Sequence, residues 1–386
     1  IGSIRQDLSD RHCGGKTVAE VELSTGKKLI YKPRGLKPEL SFFQFVSLLN
    51  NLGDGPQLRS LSVLDCSDHG WMEFAEAHPC KSIDGVRAYY SRIGGLLAVC
   101  QVLAITDLHF ENIVACGDSP IIVDLETILD DHSVPDYPGG RSWSITTCGL
   151  LPRWQVASDG HHFDLSGLCA DSTQDAGIRR LAWLYPNTDQ MHLTDISRLA
   201  TSEQHRPRVG VKPSAASEFV PEILDGFRSM YLHLMSNRAR ILTEETTSHF
   251  DNLDLRVLIR GTSTYCQLQL RLLHPEFLAD GIARSLELEW LARPMSGTSV
   301  PQPARKVLYQ KELAAMERLD VPRFGSSSWS SLDLFASDAG LSFISARRDS
   351  KVLARRLAQL SYDDLEVQLG LIEVAIRERF DEPVTA

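Results

Sequence analysis

The sequence predicts an α+β protein of two lobes, a small β-rich one at the N-terminus and a large, mostly helical one after it. Three observations carry this. Residues 18–31 alternate as a hairpin does: Val18-Ala19-Glu20-Val21-Glu22-Leu23, a turn at Ser24-Thr25-Gly26-Lys27, then Lys28-Leu29-Ile30-Tyr31. From Ile83 onward the apolar period turns helical, with long amphipathic stretches over 86–103 and 222–242. Between those stretches, residues 104–127 read as loop, strand, tight turn and strand, with acids at both outer ends. The division falls into residues 1–78 and 79–386.

The totals agree with a globular chain. It has 386 residues, of which 43% are hydrophobic, enough for more than one compact unit and a sizeable core. A net charge of -10 argues against a general nucleic-acid binder, which needs a basic surface. The eight cysteines are scattered with no CxxC pair, which suggests neither a zinc ribbon nor a redox motif. Reduced thiols and a cytoplasmic location are expected. The longest apolar run, Gly94 to Ile105, is too short and carries Gln101, so no membrane span is expected. No signal peptide is visible.

In chain order, residues 1–9 read as a short polar lead-in. Asp10-Arg11-His12-Cys13-Gly14-Gly15-Lys16 follows as a glycine turn, and the hairpin after it delivers Lys32-Pro33-Arg34. Backbone N–H groups near the glycines and a point charge from Lys32 make a plausible phosphate cradle. Leu40 to Leu52 is an amphipathic helix stopped by Gly53-Asp54-Gly55-Pro56. Ser60 to Leu64 reads as a strand, and Gly70-Trp71-Met72-Glu73-Phe74 as a final strand or hinge. Val86 to Leu103 reads as one or two helices feeding residues 104–112.

After Glu126 the run to Pro152, rich in Gly, Pro and Ser, reads as a long loop. His161-His162-Phe163-Asp164 has metal-ligand residue types, but no third ligand is spaced to complete a site, so solvated histidines are expected. Asn187-Thr188-Asp189 can cap or turn, and 201–217 reads as a flexible loop. In the helix over 222–242, Leu224, Phe227, Met230, Tyr231 and Leu234 form a core-facing stripe. Arg256, Arg260, Thr262 and Tyr265 follow, then helices over 265–293, 305–317, 332–338 and 351–380.

The chemistry concentrates in residues 104–127. Asp107, His109 and Asn112 precede the apolar triplet Ile113-Val114-Ala115. Gly117-Asp118-Ser119-Pro120 reverses the chain, and Ile121-Ile122-Val123 ends on Asp124 and Glu126. A hairpin there folds 124 back towards 112. Asp107 and Asn112 are five positions apart and Asp124 twelve further on, the layout of a kinase catalytic centre. Phosphoryl transfer needs oxygen ligands for Mg²⁺ and one free carboxylate to orient the accepting hydroxyl.

These residues resemble the dehydratase domain of class II lanthipeptide synthetases, the LanM family, and the match runs through nearly the whole chain. It rests on Asp10, His12 and Gly15; Tyr31-Lys32-Pro33-Arg34; Gly70-Trp71-Met72-Glu73-Phe74; Asp107, His109 and Asn112; and Asp124-Leu125-Glu126-Thr127. In order after these come Thr147 to Pro152, Asn187 to Met191, Gly226-Phe227 with Met230-Tyr231, Arg256 to Tyr265, His274-Pro275 and Asp320-Val321-Pro322-Arg323-Phe324. Ser9 stands where the family commonly has Gly, and Lys16 where it commonly has Arg.

The resemblance implies a lipid-kinase-like fold. It also implies an enzyme that uses ATP and Mg²⁺ to phosphorylate Ser and Thr of a precursor (leader-core) peptide and then eliminates phosphate to leave dehydroalanine or dehydrobutyrine. By this resemblance, Asp107 orients or deprotonates the hydroxyl, and His109 is catalytic or braces the loop. Asn112 and Asp124, with Glu126, hold Mg²⁺. Lys32 contacts ATP phosphate, and Asp10, His12 and Gly15 shape the phosphate loop. Arg256 and Thr262 serve elimination. The family's longer N-terminal segment and its zinc-dependent, LanC-like cyclase domain have no counterpart here, so dehydration without ring closure is expected. The competing readings are a small-molecule or lipid kinase without elimination, and a pseudokinase-like binding module.

Overall fold

The computed structural model describes residues 1–53, 55–130, 144–156, 160, 162–169, 174–200, 203–257, 260–292, 302–325 and 350–377. The N-terminal lobe is a five-stranded antiparallel sheet: β1 (Ser3–Arg5), β2 (Ala19–Glu22), β3 (Lys28–Lys32), β4 (Val63–Asp65) and β5 (Gly70–Glu73), in the order β1-β2-β3-β5-β4. The expected polar lead-in is therefore partly an edge strand. Its three exposed residues have no burial pattern to read, and they are held by their ladder to β2, Ser3 opposite Glu22.

Helix α1 (Lys37–Asn51) packs in this lobe through Phe42, Phe43, Phe45, Val46 and Leu49, all buried. It starts earlier than the apolar pattern suggested. Pro38 fits a first helical turn, where no N–H partner is missed, and Glu39 complements the helix dipole there. The strand expected over 60–64 lies slightly later, at β4.

The larger lobe is built on α2 (Ile83–Leu103), one helix of 21 residues whose second half is wholly buried. It crosses α3 (Val220–Ser236) backbone to backbone. A Cβ on Gly94 would collide with the carbonyl of Ile223, and one on Gly226 with that of Ser91, so this crossing requires glycine on both helices. Phe227, Met230, Tyr231 and Leu234 of the expected stripe are buried in the same core. Ala104, in the left-handed conformation (φ 45), ends α2 and turns the chain into the loop that precedes the hairpin β6 (Ile113–Cys116) and β7 (Ser119–Ile122).

Several expectations for the rest of this lobe are corrected. Residues 174–184 and 192–200 form a long antiparallel pair that turns near Asn187 (φ 65). The strands were invisible in the sequence because Asp175, Arg179, Arg180 and Asp195 break any two-residue alternation. The loop expected over 201–217 contains a small ribbon, Arg208–Val209 against Lys212–Pro213. The helix expected over 265–293 is broken into Thr262–Leu272, Pro275–Ala279, Gly281–Leu288 and a short turn at Glu289–Ala292. The side chains of His274 and Asp280 cap the second and third pieces, accepting from the amides of Glu276 and Ile282.

The last helix expected, 351–380, is two: Ser350–Gln359 and Tyr362–Arg377. At the break the Ser361 amide donates to the Tyr231 hydroxyl. The helix expected over 332–338 lies outside the described residues, as do 131–143 of the loop after Glu126. None of the eight cysteines is in a disulfide, and among the described residues no helix is long and apolar enough to cross a membrane.

Candidate active site

The loop from Ala104 to Asn112 is held on every side by backbone. Thr106 N donates to Thr127 O at 3.3 Å, and the Thr127 hydroxyl donates to Thr106 O at 2.7 Å. Leu108 N donates to Cys148 O at 2.9 Å, and Leu108 O accepts from Gly167 N at 3.1 Å. Gly149 (φ 87) lies so close that a Cβ there would sit 2.7 Å from Leu108 N. In this frame Asp107 takes a left-handed conformation (φ 64), which Asp tolerates better than most residues. Its carbonyl accepts from Asn112 Nδ2 at 2.8 Å, so Asn112 is tied to the loop it terminates. Across the hairpin Val123 N donates to Asn112 O at 3.0 Å. The β6–β7 register thus places Asp124 one residue beyond the partner of Asn112.

His109 braces this loop. Its Nδ1 lies 3.1 Å from Asp107 O and its Nε2 3.3 Å from Glu111 Oε2. Burial alone would lower its pKa, but the bond to Glu111 and the charge of Asp107 outweigh burial and hold it up at about 9. Burial raises the Asp107 carboxyl above its ordinary range, against the opposing pull of His109 and Arg256. A carboxylate shifted upward is a better proton acceptor.

Lys32 ends β3 and is buried. Its Nζ donates to Val123 O at 2.8 Å and Glu39 Oε1 at 3.1 Å, and lies 3.5 Å from Asp124 Oδ1. Glu39, fully buried in the first turn of α1, was not among the residues singled out from the sequence. The available signal was an acid seven residues after a lysine expected to act from inside a cleft, since a buried lysine needs an anionic partner. Arg34 completes the set. Its Nη2 donates to Glu39 Oε1 at 2.5 Å and Asp124 Oδ1 at 2.8 Å. Burial opposes the charged forms here, but the neighbouring charges prevail: Arg34 is shifted up, and Glu39 and Asp124 are held below the usual carboxylate range.

Glu126 sits among three guanidiniums. Arg256 Nη1 donates to its Oε1 at 2.8 Å, while Arg34 Nε and Arg323 Nε lie 3.3 and 3.4 Å from its Oε2. Arg256 is positioned by Glu126 O, which accepts from its amide at 2.7 Å, and by a two-residue ribbon, Arg256–Val257 against Phe324–Gly325. Burial disfavours its charge, yet Glu126 more than offsets this and its pKa is raised. Arg260 turns elsewhere, to Glu312 at 2.7 Å and to Leu291 O at 2.7 Å. Thr262 opens the helix Thr262–Leu272 at the edge of the same cleft as Arg256.

The glycine turn differs from expectation. Cys13, Gly14 and Gly15 all have positive φ (50, 88 and 80), which aims successive amides to one side. Those amides receive a carboxylate from within the chain: Gly14 N donates to Asp320 Oδ2 at 2.7 Å and Gly15 N to Asp320 Oδ1 at 2.9 Å. Val321 N donates to Arg11 O, and His12 Nδ1 is 2.7 Å from Val321 O. Burial, then the charge of Arg256, lowers the His12 pKa. In this structure these contacts clamp the turn to residues 320–321, while Asp10 and His12 line the cleft and Gly15 does not.

The cleft measures about 1440 Å³. Its apolar end is formed by Val18, Ile30, Met72 and Val114, beside the strand that was expected to act as a hinge. Its polar end holds Lys32, Asp107, Asn112, Asp124, Glu126 and Arg256. Asn112 and Asp124 supply an amide and a carboxylate on neighbouring rungs, oxygen donors of the kind Mg²⁺ takes alongside waters and phosphates. Among the described residues no three His, Cys, Asp or Glu side chains converge as a metal site, and Glu126, expected as a third ligand, faces arginines. Of the histidine pair, His162 is exposed and His161 lies outside the described residues.

Residues 1–327 match the family described as a domain of unknown function, DUF4135. Over 397 aligned residues the chain is 26% identical to the lacticin 481/lactococcin biosynthesis protein LcnDR2 of Lactococcus lactis subsp. lactis. The alignment covers 95% of this chain and 40% of that relative, so the chain spans less than half of its length. The motifs that resemble class II lanthipeptide synthetases lie within the matched residues, and the chain belongs to the DUF4135 family.

Proposed function

We propose that the chain works in lanthipeptide biosynthesis as an ATP-dependent dehydratase of a ribosomally made precursor peptide. The observation that supports this reading is that the residues assigned to both half-reactions line one cleft. Lys32, held by Glu39, with Asp107, Asn112 and Asp124 would serve phosphoryl transfer, and Arg256 and Thr262, which line the same cleft, would serve elimination.

In the first half-reaction the peptide hydroxyl oxygen attacks the γ-phosphorus of ATP, and the bond from that phosphorus to the β–γ bridging oxygen breaks with its electron pair leaving on ADP. Asp107, its carboxyl raised by burial, orients that hydroxyl and accepts its proton. Lys32 contacts the phosphates and is itself fixed by Glu39. Mg²⁺, when bound, neutralises phosphate charge, and Asn112 and Asp124 would hold it. In the second half-reaction the proton on Cα is removed, the C=C bond forms, and the Cβ–O bond breaks with its electron pair leaving on phosphate. Arg256 stabilises that leaving dianion by charge-assisted hydrogen bonds, with Thr262 beside it and Lys32 assisting. His12 suits the base: with Nδ1 donating to Val321 O, its Nε2 carries the lone pair of a neutral ring.

The test is mass spectrometry of the cognate precursor peptide after incubation with this chain, ATP and Mg²⁺. The expected result is mass loss in steps of about 18 Da, which requires both half-reactions. Gain of phosphate alone would make the chain a kinase without elimination. An unmodified peptide with ATP still bound would make it a binding module.

A further inference from the structure

We propose that Arg323 is a third phosphate-contacting residue of this cleft, which together with Arg256 grips the phosphate of the phosphorylated peptide during elimination. The inference rests on the dehydratase reading and adds a residue to it.

The first argument is about charge and donors. One carboxylate, Glu126, is approached by Arg34, Arg256 and Arg323. A carboxylate carries a single charge, whereas a phosphate monoester carries nearly two and offers three non-bridging oxygens to planar donors. Arg34 is shared with Glu39 and Asp124, which leaves Arg256 and Arg323 facing Glu126 as two planar forks suited to a phosphate's oxygens.

The second argument is about which arginine can turn. Arg34 is anchored to Glu39 and Asp124 by bonds of 2.5 and 2.8 Å, and Arg256 to Glu126 by one of 2.8 Å. Among the described residues Arg323 makes only long contacts, 3.4 Å to Glu126 and 3.4 Å to Asp254, and the side chain of Asp254 is half exposed. Arg323 lines the cleft. Redirecting it to an incoming phosphate gives up weak bonds for strong ones.

The third is about placement. The ribbon pairs Arg256 with Gly325, so Arg256 on one strand and Arg323 just before the other both reach Glu126. Gly325 keeps the space: a Cβ there would lie 2.5 Å from Asp254 Oδ1 and 3.3 Å from Arg323 Nη1.

The experiment gives this chain a synthetic phosphoserine form of the precursor peptide without ATP. It measures elimination by mass and, separately, affinity for the phosphopeptide over its unphosphorylated twin. Arg323→Ala should slow elimination by about 100-fold relative to any change in its phosphorylation of the plain peptide, the scale for losing one anion-stabilising donor. It should lower the preference for phosphopeptide by about 10-fold. Arg323→Lys, which keeps the charge and loses the fork, should fall between and serves if the alanine variant does not fold. An Arg323→Ala protein that eliminates and discriminates like the wild type would overturn the proposal. So would a loss of both half-reactions in equal proportion with a lowered melting temperature, the mark of a structural role. Failure of the wild type itself to eliminate would sink the dehydratase reading. The phosphopeptide preference of the two proteins would then still decide whether Arg323 holds phosphate.

Discussion

Glu126 and Glu312 are both buried acids held by arginine, and they do different things. Glu312 is 1% exposed. Arg260 meets it with a two-pronged contact at 2.7 and 3.3 Å, and the Tyr265 hydroxyl donates to it at 2.6 Å. Arg260 further donates to Leu291 O and lies against the Trp290 ring. The surroundings are the smaller core cluster of Tyr265, Leu268, Leu272, Leu288, Leu291, Met316 and Val321, and the cleft does not reach it. Glu126 has more arginines and longer contacts, and it faces the cleft. Arg256 and Arg260 stand only four residues apart. A closed centre whose donors match its acceptors is a structural joint, while an open one whose arginines line the cleft is ready for a ligand.

The sharpest way to break this contrast begins next to Glu126. Asp107→Asn should reduce both phosphorylated and dehydrated peptide by about 1000-fold without lowering the melting temperature, because Asn accepts the left-handed conformation as readily as Asp. Retained dehydration would remove Asp107 from the chemistry. At the closed centre Arg260→Met should do the reverse. It leaves Glu312 buried without its cation, which costs about 3–5 kcal/mol of stability. Both half-reactions should then fall together, in proportion to the folded fraction. Arg256→Met, measured beside it, should let phosphopeptide accumulate at a nearly unchanged melting temperature. Exchanged signatures between the two arginine variants would mean that the two centres have been assigned the wrong way round.

Glu39 tests an intermediate case, since it is as buried as Glu312 yet touches Lys32. Glu39→Gln keeps the shape but removes one of the charges that hold Lys32 and Arg34, so about 1–3 kcal/mol of stability should be lost. The KM for ATP should also rise, because Lys32 loses its fixed direction. A stability loss with unaltered ATP kinetics would class Glu39 with Glu312 as purely structural.

How far the sequence could be read follows the same division. The catalytic hairpin was legible because its parts are local. A tight turn at Gly117 fixes the register, the register brings Asp124 back beside Asn112, and spacing alone predicts the meeting. The hairpin of β2 and β3 was legible for the same reason. The partners of Glu126 and of the glycine turn come from far along the chain. Arg323 lies 197 residues from Glu126, and Asp320 lies 306 from Gly14. No periodicity connects such positions, so Asp320 to Phe324 could be noticed as a motif and given no role. Asp320 shows the physical cost of that gap: positive-φ amides have the same geometry whether they receive a phosphate or a carboxylate from elsewhere in the chain.

The smallest effect concerns that joint and separates its two ends. His12 is a neutral ring held by Val321 O, and its pKa in the fold is lowered from the ordinary value by burial and then by Arg256. Below about pH 6.5 the unfolded chain binds a proton at this position more readily than the folded one. Stability contributed here is therefore full above that pH and declines as the pH falls towards the lowered value. His12→Asn cannot titrate, so its melting temperature should run parallel to the wild type from pH 7 to 8. Between pH 6.5 and 5 the wild type alone should lose an additional few degrees. Equal slopes in that acid window would mean that His12 is protonated in the fold despite Arg256. It would then be unfit for the proton-accepting role in elimination, while the Asp320 clamp, which depends on no histidine, would stand.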